Sequence, residues 1–274
     1  MGYFTSNSSS ACQGRDDSLF SLDSGWGNLN CIFPNPFLHV PPRLLSALAA
    51  LVLLPFALLA QAPAPKWPGP KPAANDYAKW EKAITAFETA DQANPPPKGA
   101  VLFVGSSTIV RWKSLATDFP ETKVLNRGFG GNQIKDCTYY AERMIFPYQP
   151  SAIFLRAGGN DLNAGWPVAE VFADFKAFVA KVRGKFPNLP IYYIGTSPSI
   201  KRIEQVAAGN QLNELIAAHS KAGRGLTYID TRKLSLDAKG NVRPELFVAD
   251  MLHFNEEGYK LLVAHVRPFV PKTK

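Results

Sequence analysis

From residue 101 onward the chain alternates two kinds of hydrophobic pattern. Short apolar runs bounded by glycine, proline and polar residues read as buried strands: VLFVG (101–105), AIFLRAG (152–158), IYYIGT (191–196) and LTYID (226–230), with KVLN (123–126) as a shorter one. Between them lie longer stretches whose apolar positions recur three and four apart. In 168–186, Val171, Phe172, Phe175, Phe178, Val179 and Val182 fall on one helical face. Helices are also predicted over about 133–145, over 203–222, and from Asn255 to about Val266. Strands alternating with helices of this length imply an α/β fold, a three-layer α/β/α domain around a five-stranded parallel sheet. No internal repeat is present, so one domain is the simplest count.

Upstream of the alternation the pattern changes three times. Tyr77, Trp80, Ile84 and Phe87 predict a helix from a cap at Asn75 to about Ala90, its aromatic stripe packed on the domain, with Asn94-Pro95-Pro96-Pro97 ending it. Residues 63–74, PAPKWPGPKPAA, read as an extended spacer. Residues 44–60, LLSALAALVLLPFALLA, follow Arg43 and precede Ala60-Gln61-Ala62, the layout of a secretory signal peptide over 40–62. The alternative is a retained membrane anchor, for which about 17 residues broken by Pro55 is the short limit. Residues 1–39 are Ser/Asn/Gly-rich and too long for an ordinary signal flank. They read as a mis-called start or a disordered extension, with Val40 the candidate true start. The expected destination is the periplasm or the exterior, or the membrane if residues 44–60 are kept.

Composition narrows the function. Of 274 residues, 46% are hydrophobic and 19% charged, which is globular. The net charge of +8 divides unevenly, −1 over residues 1–62 and +9 over the remainder. The lysines and arginines are spread singly, with no basic block or aromatic-interleaved stripe, so nucleic-acid binding is not expected. Cys12, Cys31 and Cys137 have neither metal-ligand nor disulfide-framework spacing. Cys137 is expected to be a small buried hydrophobe.

In parallel sheets, sites form beyond the carboxyl ends of the strands. There the chain carries Gly105-Ser106-Ser107, then NRGFGG (126–131), then GGND (158–161) and Thr196 to Ser199. ADMLHFNEEGY (249–259) comes near the end. A serine nucleophile needs a base, which His253 can be, and Asp250 three residues earlier can hold the imidazole's tautomer. Backbone N–H groups after glycine and an asparagine amide can bind an oxyanion. Ser106 is the rival nucleophile and otherwise turn material. Arg111 and Trp112, one helical turn past Ser107, either line a substrate pocket or pack beneath the first helix. Asp161 reads as a structural acceptor bracing its loop, and Asp230 as a possible loop brace. His219 and His265 read as surface or packing residues. A phosphate-cradling reading of Gly105-Ser106-Ser107-Thr108 lacks the G-x-x-x-x-G-K-[ST] and G-x-G-x-x-G patterns.

The order Ser…Asp…His is that of the α/β-hydrolases, but their G-x-S-x-G elbow is missing around Ser107. Together the four blocks resemble the SGNH (GDSL-type) hydrolase family, over about residues 100–270. Ser106 stands where the family's motif has aspartate, a departure that secreted esterases of the family commonly tolerate. The resemblance implies a flavodoxin-like fold and Ser107, Asp250 and His253 as catalytic residues. It implies an oxyanion hole of the Ser107 and Gly131 N–H groups with the Asn160 side chain. No metal or organic cofactor is implied. The expected activity is hydrolysis of short acyl esters, acetyl among them, of small molecules or carbohydrates. Lysophospholipase, thioesterase or acyltransferase activity on the same site are the alternatives. A catalytically silent carbohydrate- or anion-binding module is the non-enzymatic one.

Overall fold

The computed structural model describes residues 76–272. The readings of residues 1–39, 40–62 and 63–74, and Asn75 as a cap, therefore lie outside the described residues. Five strands form one sheet: β1 (Val101–Gly105), β2 (Val124–Gly128), β3 (Ala152–Arg156), β4 (Ile191–Ile194) and β5 (Leu226–Ile229). All pairings are parallel, in the order β2-β1-β3-β4-β5. The predicted α/β architecture is the observed one.

Alternation along the strands sorts side chains into two cores, as a pleat with period two requires. Leu102, Val104, Ile153, Leu155, Ile191 and Tyr193 enter one core. It is covered by helices α1 (Glu81–Ala93), α4 (Ile134–Tyr139), α5 (Ala141–Met144), α7 (Val168–Lys185) and α8 (Val206–Ala222). Val101, Phe103, Ala152, Phe154, Ile194 and Ile229 enter the other. That face is covered by the segment through α2 (Ser107–Val110) and α3 (Leu115–Asp118), by Leu246 to Phe254, and by α9 (Glu256–Val266). On this second face the rings of Phe103, Phe154 and Tyr192 stack across β1, β3 and β4, with centroids 4.7 and 4.5 Å apart. Truncating the central ring, Phe154→Ala, should cost roughly 3–5 kcal/mol.

Element boundaries depart from the sequence reading most plainly in β2, in the 133–145 stretch and in the upstream helix. β2 runs on through Arg127 and Gly128 because those residues pair with Val104 and Gly105. The helix read over 133–145 is broken at Tyr140 into α4 and α5. The upstream helix begins with a 3₁₀ turn, Tyr77–Trp80, capped by the Asp76 carboxylate accepting from the Ala78 N–H. Its stripe packs as expected: Ile84 is fully buried, and Tyr77, Trp80 and Phe87 lie against the first core. Cys137 is a buried free thiol whose pKa burial pushes well up. No helix of the described residues is long and apolar enough to cross a membrane.

Candidate active site

Each chemical block sits where a strand ends. At the end of β1, Gly105 has φ +139°, and a Cβ there would lie 2.0 Å from the Arg156 carbonyl oxygen. Glycine alone lets β1 leave the sheet this close to β3. The Ser106 N–H donates to that same carbonyl at 3.0 Å, and Ser107 opens α2. The Tyr259 hydroxyl donates to the Thr108 carbonyl at 2.7 Å, tying α2 to α9.

The loop after β2 is folded against the end of β1. The Asn126 amide donates to the Ile109 carbonyl, and its oxygen accepts from the Gly128 N–H. The Phe129 N–H and the Asn132 amide both donate to the Gly105 carbonyl, at 2.9 and 3.0 Å. Gly131 takes φ +82° and is exposed. It stands one residue before the Asn132 carbonyl, which accepts from Asn160 Nδ2 at 2.9 Å. Asn160 lies in α6 (Gly159–Asn163), the short helix after β3. Its Oδ1 accepts from Arg202 Nη2 at 2.8 Å. The amide is thus held at both ends, with one Nδ2 hydrogen left over.

Beneath it, Asp161 is fully buried and accepts from the Ile134 N–H at 2.9 Å, bracing the loop. Burial pushes its carboxyl up to about 7, against the lowering effect of that hydrogen bond. Asp230 accepts from the Arg232 N–H and guanidinium at the end of β5, and His265 lies against its backbone carbonyl. The His219 ring meets Phe172 and Phe175 edge-on.

Asp250, Met251, Leu252 and His253 form a tight turn, with Met251 in the left-handed region at φ +55°. One Asp250 oxygen accepts the N–H groups of Leu252 and His253, each at 2.9 Å. The other lies 2.7 Å from His253 Nδ1. The His253 hydrogen bond, helped by the two backbone N–H groups, holds the Asp250 carboxyl far below the usual carboxylate range. His253 Nε2 lies 2.8 Å from Ser107 Oγ. With the ring proton on Nδ1, toward the carboxylate, the Nε2 lone pair faces the serine hydroxyl. This chain of contacts can draw a proton from Ser107 as the oxygen attacks an electrophile.

Ser107, Asn160 and His253 line one cleft of about 110 Å³, with Thr196 to Ser199 from the end of β4 on its far wall. That is small beside the roughly 300–1,000 Å³ of pockets for drug-sized ligands. Arg111 and Trp112 are not part of it, and the pocket-lining reading of this pair is corrected. Helix α2 is a single turn, so the residues after it swing away from the cleft. Trp112 is buried, donates from Nε1 to Asp118 at 2.7 Å and packs edge-on to Phe103. Arg111 is exposed and borders a different surface depression with Lys113, Ser114 and Asp118. The sequence reading passed over two residues that do line the cleft, Arg156 and Arg202. An arginine closing the otherwise apolar AIFLR strand was the available signal for Arg156. Arg202 lies in a 3₁₀ segment, Ile200–Gln205, with no periodicity to mark it. No group of three or more His, Cys, Asp or Glu side chains among the described residues could hold a metal ion.

A model of the GDSL-like lipase/acylhydrolase family matches residues 102–261, and the chain belongs to that family. It is an ester hydrolase. No curated protein matches. Solved structures share the fold at low identity. One, described as a candidate platelet activating factor from Streptococcus pneumonia, is 19% identical, with 70% of this chain and 94% of that chain covered and a TM-score of 0.63. A GDSL-like lipase from Bacteroides thetaiotaomicron is 17% identical, with 71% and 98% covered and a TM-score of 0.58. A variant of Axe2, an acetyl-xylooligosaccharide esterase from Geobacillus stearmophilus, is 16% identical, with 62% and 94% covered and a TM-score of 0.51.

Proposed function

We propose that the chain is a serine esterase that removes short acyl groups, acetyl foremost, from small-molecule or carbohydrate esters. The observation that carries this is the unbroken line from Ser107 Oγ to His253 Nε2, 2.8 Å, and from His253 Nδ1 to Asp250, 2.7 Å, at the mouth of a small cleft. Ser107 Oγ attacks the ester carbonyl while His253 takes its proton. The tetrahedral oxyanion is held by the Ser107 and Gly131 N–H groups and the free hydrogen of the Asn160 amide. His253 returns the proton to the departing alkoxide, leaving an acyl-serine. Water, deprotonated by His253, then attacks the acyl carbonyl and regenerates Ser107 with release of the acid. Asp250 stays ionised throughout and stabilises the imidazolium. The small cleft favours a short acyl group over a long one. The signal-like segment 40–62 supports export as the setting of this activity.

The test is hydrolysis of p-nitrophenyl esters from acetyl to decanoyl, with fluorophosphonate labelling alongside. Wild type and Ser106→Ala are expected to turn over and label, with rates falling as the acyl chain lengthens. Ser107→Ala is expected to do neither. Folded wild-type protein that hydrolyses no ester and takes no label would overturn the reading.

A further inference from the structure

The cleft carries two cations and no anion. Among the described residues, Arg156 and Arg202 are its charged lining residues, and no aspartate or glutamate lines it. Among the described residues, neither guanidinium has a carboxylate within ion-pair distance. Arg156 donates from Nη1 to the Gly195 carbonyl and from Nη2 to Ser197 Oγ at 3.1 Å. Arg202 donates from Nη2 to Asn160 Oδ1 at 2.8 Å. Two of Arg156's five N–H groups are so used, and one of Arg202's. Both are partly buried, so neither is a freely solvated surface charge. Burial disfavours the charged form of each.

An uncompensated guanidinium in a partly dry site costs free energy unless an anion completes it. Elsewhere in the described fold, Arg127 and Arg143, the arginines that tie α1 to the domain, have carboxylate partners. The planar fork of arginine also matches a carboxylate in two-point geometry. We infer that Arg156 and Arg202 form a subsite for a carboxylate on the substrate, making the protein selective for anionic esters. The inference rests on the serine-esterase reading of the same cleft. Arg202, bonded to the Asn160 amide, stands beside the proposed oxyanion hole. Arg156, at the end of β3, reaches toward the β4 wall. An anion placed between them would lie within the cleft that holds the scissile ester.

The carboxylate can belong to the acyl half or to the alcohol half of the ester, and matched pairs separate the two. For the alcohol half, 4-acetoxybenzoate is compared with 4-acetoxybenzamide. For the acyl half, 4-nitrophenyl hydrogen adipate is compared with its methyl ester. In at least one pair, wild type is expected to show kcat/KM roughly tenfold or more higher for the anion, the scale of one charge-assisted hydrogen bond. The pair that responds names the half. Arg156→Gln should cut that ratio about tenfold, and Arg156→Lys should retain part of it. Arg202→Gln provides a second removal of charge should Arg156→Gln fail to fold, as judged by its thermal transition. Equal rates within both pairs, or a ratio unchanged in a folded charge-removing variant, would overturn the subsite while leaving the esterase standing. Absence of turnover and of fluorophosphonate labelling on every compound would overturn the esterase reading itself, and the subsite with it.

Discussion

Two groups of arginines in this molecule are treated in opposite ways. On the outer face of the first core, Arg127 is buried at 7% side-chain exposure and bonded to Asp91 of α1, with Tyr148 donating to the same carboxylate and accepting from Arg127 Nε at 2.9 Å. Arg143 grips Glu88 with two 2.7 Å bonds and reaches Glu81 as well. Those charges fasten α1 to the domain, and each is matched. In the cleft, Arg156 and Arg202 meet only a hydroxyl, a carbonyl and an amide oxygen among the described residues, and the buried Asp161, next to Asn160 in the chain, has one oxygen without a hydrogen-bond partner among them. Matched charges hold structure in place. The two unmatched arginines of the cleft stand where a site can respond to something that arrives.

If that division is sound, changes at the two places should appear in different measurements. The largest effect is expected at the cleft. Asp250→Asn keeps an oxygen for the Leu252 and His253 N–H groups but offers Nδ2 to the imidazole, favouring the wrong tautomer. Turnover should fall roughly 10⁴-fold, the scale known for this change in such triads, with little shift in the thermal transition. Asp250 is ionised far into acid, so its titration should leave no inflection in the wild-type activity profile above about pH 4.

At the anchor the order reverses. Asp91→Ala strands Arg127 in the protein and should cost about 3–5 kcal/mol in chemical denaturation, with kcat of the folded fraction largely kept. Asp161 joins the two cases, because its unmatched charge should be visible as stability. Its carboxyl pKa is raised by burial to about 7, from about 3.8 when unfolded. The folded state therefore holds the proton more tightly between those values, and stability is lost as pH rises through that window. Asp161→Asn, which keeps an acceptor for the Ile134 N–H, should gain on wild type by an amount that grows to about 4 kcal/mol between pH 4 and pH 8. A gain that does not grow with pH would remove Asp161 from the unmatched group. The smallest effect is expected at Arg143→Ala. Its partners are well exposed, so about 0.5–1 kcal/mol is expected, diminishing in high salt. A larger loss there would show that the α1 anchor acts as one cooperative network.

Much of this was legible in the sequence, for reasons specific to each element. β1, β3 and β4 lie inside the sheet and are buried on both faces, so nearly continuous apolar runs mark them, and the short edge strand β5 is marked by Leu226 and Ile229, one buried in each core. β2 lies at the sheet edge, and its Asn126-Arg127-Gly128 end carries no such mark. The meeting of Ser107 with His253 and Asp250 could be expected because each block stands at an element boundary, and the D-x-x-H turn closes upon itself. The fate of Arg111 and Trp112 could not. It depended on α2 ending after one turn, a consequence of Trp112 filling the space over Phe103 rather than of local propensity. Arg202 was invisible because its position is set by the Lys201 N–H donating to the Met251 carbonyl, a contact between loops about fifty residues apart.

The hydroxyl of Ser107 and the ring of His253 are separated by 146 residues of chain. During synthesis from the amino terminus, the nucleophile emerges early and its base among the last. Every strand of the sheet is on hand before the histidine is, so the polypeptide can build most of its core while still chemically mute. A chain halted between the end of β5 and residue 253 would hold every strand of the sheet but no catalytic base. The same separation makes the protein a natural candidate for division into two fragments, one bearing the sheet and one the carboxyl-terminal arm, with activity reporting their reunion.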